Sequence, residues 1–450
     1  MIYDVAIIGG GPVGIAAIRT LAPKGKSIVL FEGNKLGGTC LNEGCMPTKA
    51  LLHSAHVFEA LNEANKAGVE IGGAAKANYN IISQRKNQII QALGMGATQG
   101  LEASGANIVY EMAQIDGENE DGTIRIKAGN QFYNAKDVIL GAGSTSAIPP
   151  IKGIETAEYI TSREILELTE APKSLTVIGG GVLGLEFASL FAILGTKVDL
   201  VEMSPEILPT MDAEYAAIVR QQYEGKGIRF HLGAKAEQVN GKEIVISKDG
   251  VQTTLSNELL LMAVGRKPAT DKLNLSSLNI ETNRNAIVVD AQMKTSHPNV
   301  YACGDVIGGS MLAHTAMHEA RVAAHTIMGI SDSINYDSIP AVVYTNPEIA
   351  SVGATEATLK NKGIAYNISN AAFAQAGRYV LENDFQTPGA VKVLTDKESG
   401  KILGIHLIGN PASELIAIGT MAVAEGYTIA KMQQFVFPHP TVAAVFQNLA

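Results

Sequence analysis

Cys40 and Cys45 are two of only three cysteines in 450 residues, and they lie five positions apart. They stand in the stretch Gly37-Gly38-Thr39-Cys40-Leu41-Asn42-Glu43-Gly44-Cys45-Met46-Pro47-Thr48-Lys49. Two thiols could exchange with a disulfide, moving two electrons as the bond opens and closes. They could equally be two small, inert core residues. On a regular helix five residues rise about 7.5 Å, more than the ~7 Å between Cα atoms that a disulfide tolerates. If the two are bonded, the backbone between them must be looped or distorted, and Gly44 permits such a bend. Pro47 suits the first turn of a helix running on through Lys49. Cys45 would then sit near the positive end of that helix, where a thiolate is stabilised.

The elements around this stretch follow a nucleotide-binding grammar. Residues 3–8 are an apolar run ending in Gly9-Gly10-Gly11-Pro12-Val13-Gly14. The helical pattern Ile15, Ala16, Ile18, Leu21 follows, then a strand at 27–31 and Glu32. Gly9 makes the turn, Gly11 lets the backbone approach a pyrophosphate, Gly14 allows helix and strand to pack closely, and Glu32 accepts from a ribose hydroxyl. The order recurs as a strand at 175–178, Gly179-Gly180-Gly181-Val182-Leu183-Gly184, a helix, a strand at 197–201 and Glu202. First glycine to acid spans 32 − 9 = 23 in one copy and 202 − 179 = 23 in the other. Two such units imply two dinucleotides. Glu202 selects NAD, because a 2′-phosphate beside it meets like charge and the following Met203-Ser204-Pro205-Glu206 offers no Arg. Helical patterns are expected at 51–67 and 81–103 and strands across 108–133.

Composition sets the class. The chain is 46% hydrophobic and 18% charged, as in a soluble globular protein, and long enough for two to four domains. A net charge of −9 without a basic block argues against nucleic acid as a partner. No uncharged apolar run approaches the ~20 residues that span a bilayer, so no membrane association is expected. The N-terminal residues show no targeting pattern. Three cysteines do not make a secreted disulfide framework, so a cytoplasmic protein is expected. No metal site is expected.

The cysteine stretch fills every fixed position of the pattern G-G-T-C-x-N-x-G-C-x-P-S/T-K. It resembles the active-site disulfide of the class I pyridine nucleotide-disulfide oxidoreductases, and the resemblance extends over essentially the whole chain. It implies an α/β fold of two dinucleotide-binding, Rossmann-like domains and an α+β C-terminal dimerisation domain. The implied division is an FAD domain at 1–146 and 269–337, an NAD domain at 147–268 and a dimerisation domain at 338–450, in a homodimer. The FAD positions would be Gly9, Gly11, Gly14, Glu32, Gly38, Thr39, Lys49, Ala113, Gly143, Asp305 and Ala313. Those for NAD would be Gly179, Gly181, Gly184, Glu202 and Gly265. Cys40 would exchange thiols with substrate, and Cys45 would face the flavin. Lys49 and Glu186 would form an ion pair beside it, and His439 would carry the thiol proton for the other subunit.

Within the family the chain is most similar to the dihydrolipoyl dehydrogenases, on Glu202, the 207–212 segment and His439-Pro440-Thr441. The implied substrate is a lipoyl dithiol, free or protein-bound. Three positions depart from the pattern. Ala142 stands for Thr and Asn346 for the usual His. Ala444 replaces the Glu that orients the catalytic His, with no acid anywhere after Glu425. The last change opens two alternatives: an NADH-dependent reductase of another disulfide or diaphorase, and a redox-sensing flavoprotein without turnover. Cys303 is expected to be a small buried residue at a strand end.

Overall fold

The computed structural model describes residues 1–383 and 385–449. Its first unit is a seven-stranded sheet. β1 (Ile2–Ile8) leads through α1 (Pro12–Leu21) to β2 (Ile28–Phe31). Three helices follow: α2 (Gly38–Asn42), α3 (Cys45–Asn62) and α4 (Tyr79–Glu102). β3 (Asn107–Val109) completes the parallel edge, and β4 (Ala113–Glu118), β5 (Ile124–Ala128) and β6 (Gln131–Leu140) form an antiparallel flank. The order is β3-β2-β1-β6-β5-β4. The first half of β6 pairs β5, and its last three residues pair the distant strand Val300–Ala302 in parallel. The chain thus returns to its first sheet after building a second one. Val5 to Ile8 in β1 are all buried, as a strand covered on both faces requires.

The second unit holds a parallel sheet ordered Arg229–Leu232, Lys197–Glu202, Ser174–Ile178, Leu259–Met262. The helices are α5 (Val182–Ile193) and α6 (Ala213–Gly225). A three-stranded antiparallel sheet covers one side, from Lys235–Asn240 to Val251–Ser256. The connections out and back run side by side, Ser144–Ser146 pairing Arg266–Pro268. α5 is buried from Gly184 through Phe191, because it lies between its own sheet and α3. One core cluster therefore joins Leu51 and Leu52 of α3, Leu185 and Phe187 of α5, and Val343 and Ile349 beyond.

After α7 (Ala313–Ile327) the chain forms an antiparallel five-stranded sheet. Its order is Ala341–Val343, Ile349–Gly353, Ile402–Ile408, Ala390–Asp396, Tyr366–Ala372. This third unit has its own core, closed by Val442, Val445 and Phe446 of the last turn. A buried ion pair with an exposed third member fastens it to the second unit: Lys392 Nζ lies 3.0 Å from buried Asp212 and 2.7 Å from exposed Glu214. Asp212 also caps α6, accepting from the N–H groups of Glu214 and Tyr215. Among the described residues no helix is long and apolar enough to cross a membrane.

Candidate active site

The two fingerprints fold alike. Gly9 and Gly179 have φ of 115° and 109°, where a side chain is strained. A Cβ on Gly14 would stand 2.4 Å from the Gly9 carbonyl oxygen, and one on Gly184 1.9 Å from that of Gly179. Only glycine lets these helices start so close to their strands. Glu32 accepts from the N–H groups of Gly10 at 2.8 Å and Asn34 at 2.7 Å. Glu202 accepts from Gly180 and Ser204, each at 2.7 Å. Both carboxylates are therefore already oriented at the mouth of their loops. α1 and α5 start at Gly11 and Gly181 with no side-chain cap, whereas α4 and α6 are capped by Asn78 and Asp212. Uncapped amides at a helix start favour phosphate.

These features test the fit of the two nucleotides. A cleft of about 680 Å³ is lined by Gly179, Gly181, Glu202 and Gly265. A Cβ on Gly181 or Gly265 would meet nothing within 4 Å, so both backbones face open space. This accommodates an extended dinucleotide. At the first fingerprint, Gly38 (φ 59°) touches Gly11, with a Cβ only 2.8 Å from the Gly11 Cα, and Thr39 follows on α2. Gly143 (φ 74°) is open, Ala113 begins β4 and Ala313 begins α7. Asp305 accepts from the Ser144 hydroxyl, and Arg266 binds Ser144 through both its hydroxyl and its carbonyl. Buried Glu319 holds Gly304 through a 2.6 Å bond from its N–H. Glycines, uncapped amides and a ribose-height carboxylate suit FAD here as they suit NAD in the second cleft.

The redox stretch breaks where it must. α2 ends at Asn42, Gly44 takes φ −155° and ψ −104°, and α3 starts at Cys45. Cys40 and Cys45 are not bonded to each other here, and their side chains lie within hydrogen-bonding reach, as the two halves of a disulfide that opens and closes must. The two titrate together. Cys45 is pulled down to about 7, first by the thiol of Cys40 donating to it and then by the Lys49 ammonium, against burial. Cys40 is pushed far up because it keeps the proton it donates and is itself desolvated. Of the two sulfurs, Cys45 is the one whose surroundings favour the thiolate. Between them Glu43 is gripped by Arg163, whose guanidinium lies 2.7 Å from both carboxylate oxygens.

Lys49 lies one turn beyond Cys45 on α3. Its ammonium meets both oxygens of Glu186 on α5, at 3.0 and 2.9 Å, across 137 positions of sequence. The Glu186 side chain is 0% exposed, so the pair holds a carboxylate that burial alone would not tolerate. His439 is not part of this assembly. It is exposed on the third unit, before a cis bond to Pro440, and no hydrogen bond to it is seen among the described residues. Ala444 is half-buried in the turn Val442–Asn448. Cys303 is fully buried after Val300–Ala302.

Sequence spacing missed three groups. Lys235 lines the same cleft as Glu202, and is paired with Glu237 at 3.2 Å. Arg266 reaches the Asp305 side, within 3.9 Å. Tyr344 brings a backbone N–H to Glu186 at 3.2 Å. Only packing shows what each of them touches.

Two dinucleotide clefts joined at a dithiol define an oxidoreductase of the nucleotide–disulfide class. The chain belongs to the pyridine nucleotide-disulphide oxidoreductase family, whose model matches residues 3–320, and the family's dimerisation domain matches 339–450. Its cofactors are FAD and NAD. It is 34% identical to a dihydrolipoyl dehydrogenase of Bacillus subtilis (strain 168), over 98% of this chain and 96% of that protein. It is 37% identical to one of Chlorobaculum tepidum, over 100% of this chain and 96% of that protein. Among solved structures it is similar to the HOCl-induced flavoprotein disulfide reductase RclA of Escherichia coli. There the TM-score is 0.86 at 28% identity, covering 99% of each chain.

Proposed function

We propose that this chain is a dihydrolipoyl dehydrogenase, oxidising a dihydrolipoyl dithiol and reducing NAD⁺. The observation that carries the reading is Cys45 at the start of α3, within reach of Cys40 and one turn from the Lys49–Glu186 pair. The division of labour follows. Residues 1–146 and 269–337 hold FAD, 147–268 hold NAD, and 338–450 pair two copies of the chain. FAD would be held by Gly9, Gly11, Gly14, Glu32, Gly38, Thr39, Lys49, Ala113, Gly143, Asp305 and Ala313, and when bound supplies two-electron chemistry between thiol and nicotinamide.

The residues then act in order. With Cys40 and Cys45 bonded, a substrate thiolate attacks Cys40, forming a mixed disulfide and releasing Cys45 as thiolate. The second substrate thiol attacks its partner sulfur, closing the substrate disulfide and freeing Cys40. Cys40 takes a proton, which fits the opposite pulls on the two groups, up at Cys40 and down at Cys45. Lys49, fixed by Glu186, keeps positive charge beside that thiolate. His439, exposed on the third unit, receives the substrate thiol proton at the site of a second copy. The negative charge of Glu202 favours NAD over NADP.

Ala444, standing where an orienting Glu would be, favours a second reading, an NADH-dependent reductase of another disulfide; RclA, to which the chain is similar, is named a flavoprotein disulfide reductase. Steady-state rates with dihydrolipoamide and NAD⁺, and with NADH and glutathione disulfide or a quinone, separate the two. Fast dihydrolipoamide oxidation supports the first reading. Its absence beside rapid NADH-driven disulfide reduction overturns it. The two-electron-reduced protein should also show a long-wavelength thiolate–flavin band that Cys45→Ser removes.

A further inference from the structure

One turn of the third unit reaches the redox pair. Strand Ala341–Val343 ends in Tyr344-Thr345-Asn346-Pro347 before the chain returns as Ile349–Gly353. The Tyr344 N–H donates to Glu186 Oε1 at 3.2 Å. The ring of the same residue lies under the Lys49 ammonium, 4.6 Å from Nζ to the centroid. Tyr344 therefore touches both members of the pair, the carboxylate through its backbone and the ammonium through its face.

The turn is itself seated on the other two units. The Asn346 N–H donates to the Tyr223 hydroxyl at 3.0 Å, and its carbonyl accepts from Lys226 at 3.4 Å, both from the end of α6. Its side-chain amide donates to Glu59 on α3 at 2.8 Å and accepts from Asn410 at 3.2 Å. Lys226 closes the set with a 2.6 Å contact to Glu59. Glu59 lies on the same helix as Cys45 and Lys49, so the anchor and the redox groups share one rigid element. Asn346 is the position where sequence comparison finds an Asn instead of the usual His; here a neutral amide fills it.

We propose that Tyr344 is a positioning residue for the Lys49–Glu186 pair, seated by Asn346, through which the third unit fixes the ammonium relative to Cys45. This rests on the reading of Cys45 and Lys49 as redox groups. A carboxylate restrains the distance of a long, flexible lysine, and a ring face restrains its direction as well. The contacts use the ring and the backbone of Tyr344. Phe therefore keeps them, and Leu loses the ring.

The charged and titratable groups facing Cys45 are Cys40, Lys49, Glu186 and Arg266. Loosening Lys49 withdraws one stabilising charge and leaves the others, so the thiolate becomes harder to form. The test is a pH titration of the two-electron-reduced holoenzyme, read from the thiolate–flavin band and, independently, from ultraviolet thiolate absorbance. Tyr344→Leu should move the Cys45 midpoint up by about 0.5–1 pH unit. Tyr344→Phe should titrate with wild type. Asn346→Ala, which keeps the ring but loosens its seat, should shift the same way by less. A Tyr344→Leu midpoint equal to wild type overturns the proposal, as does a Tyr344→Phe shift as large as that of Leu. If Tyr344→Leu does not fold, an unshifted Asn346→Ala overturns it. A wild type with an ultraviolet titration but no flavin band would instead sink the placement of Cys45 against the flavin, leaving the Tyr344 comparison to be read in the ultraviolet.

Discussion

Half of Cys45 should be thiolate at pH 7 in the dithiol form, because its midpoint lies at about 7 instead of the usual 9.0. An ordinary thiol would be only about 1% ionised there, so Cys45 should carry roughly fifty times more thiolate; because a less basic thiolate is a weaker nucleophile, alkylation at equal access should run about six-fold faster. The largest cause is the donated hydrogen bond from Cys40, followed among the stabilising effects by Lys49, and both act against burial. Cys40→Ala should therefore raise the midpoint to the ordinary thiol value or above it. Lys49→Met should raise it by a smaller step. The assay is iodoacetamide alkylation of the reduced holoenzyme across pH, with the labelled cysteine located by peptide mapping. A lowered pKa also links to stability. The thiolate contribution is complete above the unfolded value near 9 and is lost as pH falls through about 7. The dithiol protein should thus lose stability relative to Cys45→Ser over that window as it is acidified. A wild-type midpoint of about 8.5 or higher, or a Cys40→Ala variant that titrates unchanged, would refute the reasoning.

Three further outcomes are expected. NADH should be preferred over NADPH, and Glu202→Ala should narrow the ratio; equal kcat/KM for the two in wild type would contradict the role given to Glu202. Ala444→Glu should raise dihydrolipoamide turnover and move the acid limb of its pH profile upward, since a carboxylate beside an imidazole favours the protonated ring. Flavin reduction by NADH should stay nearly constant in that variant, and an unchanged profile would show that another group already orients His439. Lys392→Met should destabilise the protein by about 3 kcal/mol, because it strands a buried Asp212 carboxylate without its cation. Chemical denaturation checks this, and unaltered stability would count against the cluster as a fastening between units.

The sequence by itself determined the local devices. Both fingerprints read directly because each glycine has a short-range reason: Gly14 and Gly184 lie against the turns a few residues before them. The break at Gly44 is equally local, since two cysteines five apart must be separated by a bend if they are to meet. The Lys49–Glu186 pair was legible only through resemblance, as nothing in the spacing joins residues 137 positions apart. The helix start already pointed to Cys45 as the sulfur that favours the thiolate; tertiary structure added the thiol of Cys40 and the Lys49 ammonium that converge on it under partial burial. It alone brought Lys235 beside Glu202 and clamped Asp212 with Lys392. It also set Tyr344 under Lys49, by folding a turn of the last unit onto helices from the first two. Turns and helix starts are decided by neighbours in the chain, whereas a charge in the interior is decided by whatever packing puts beside it.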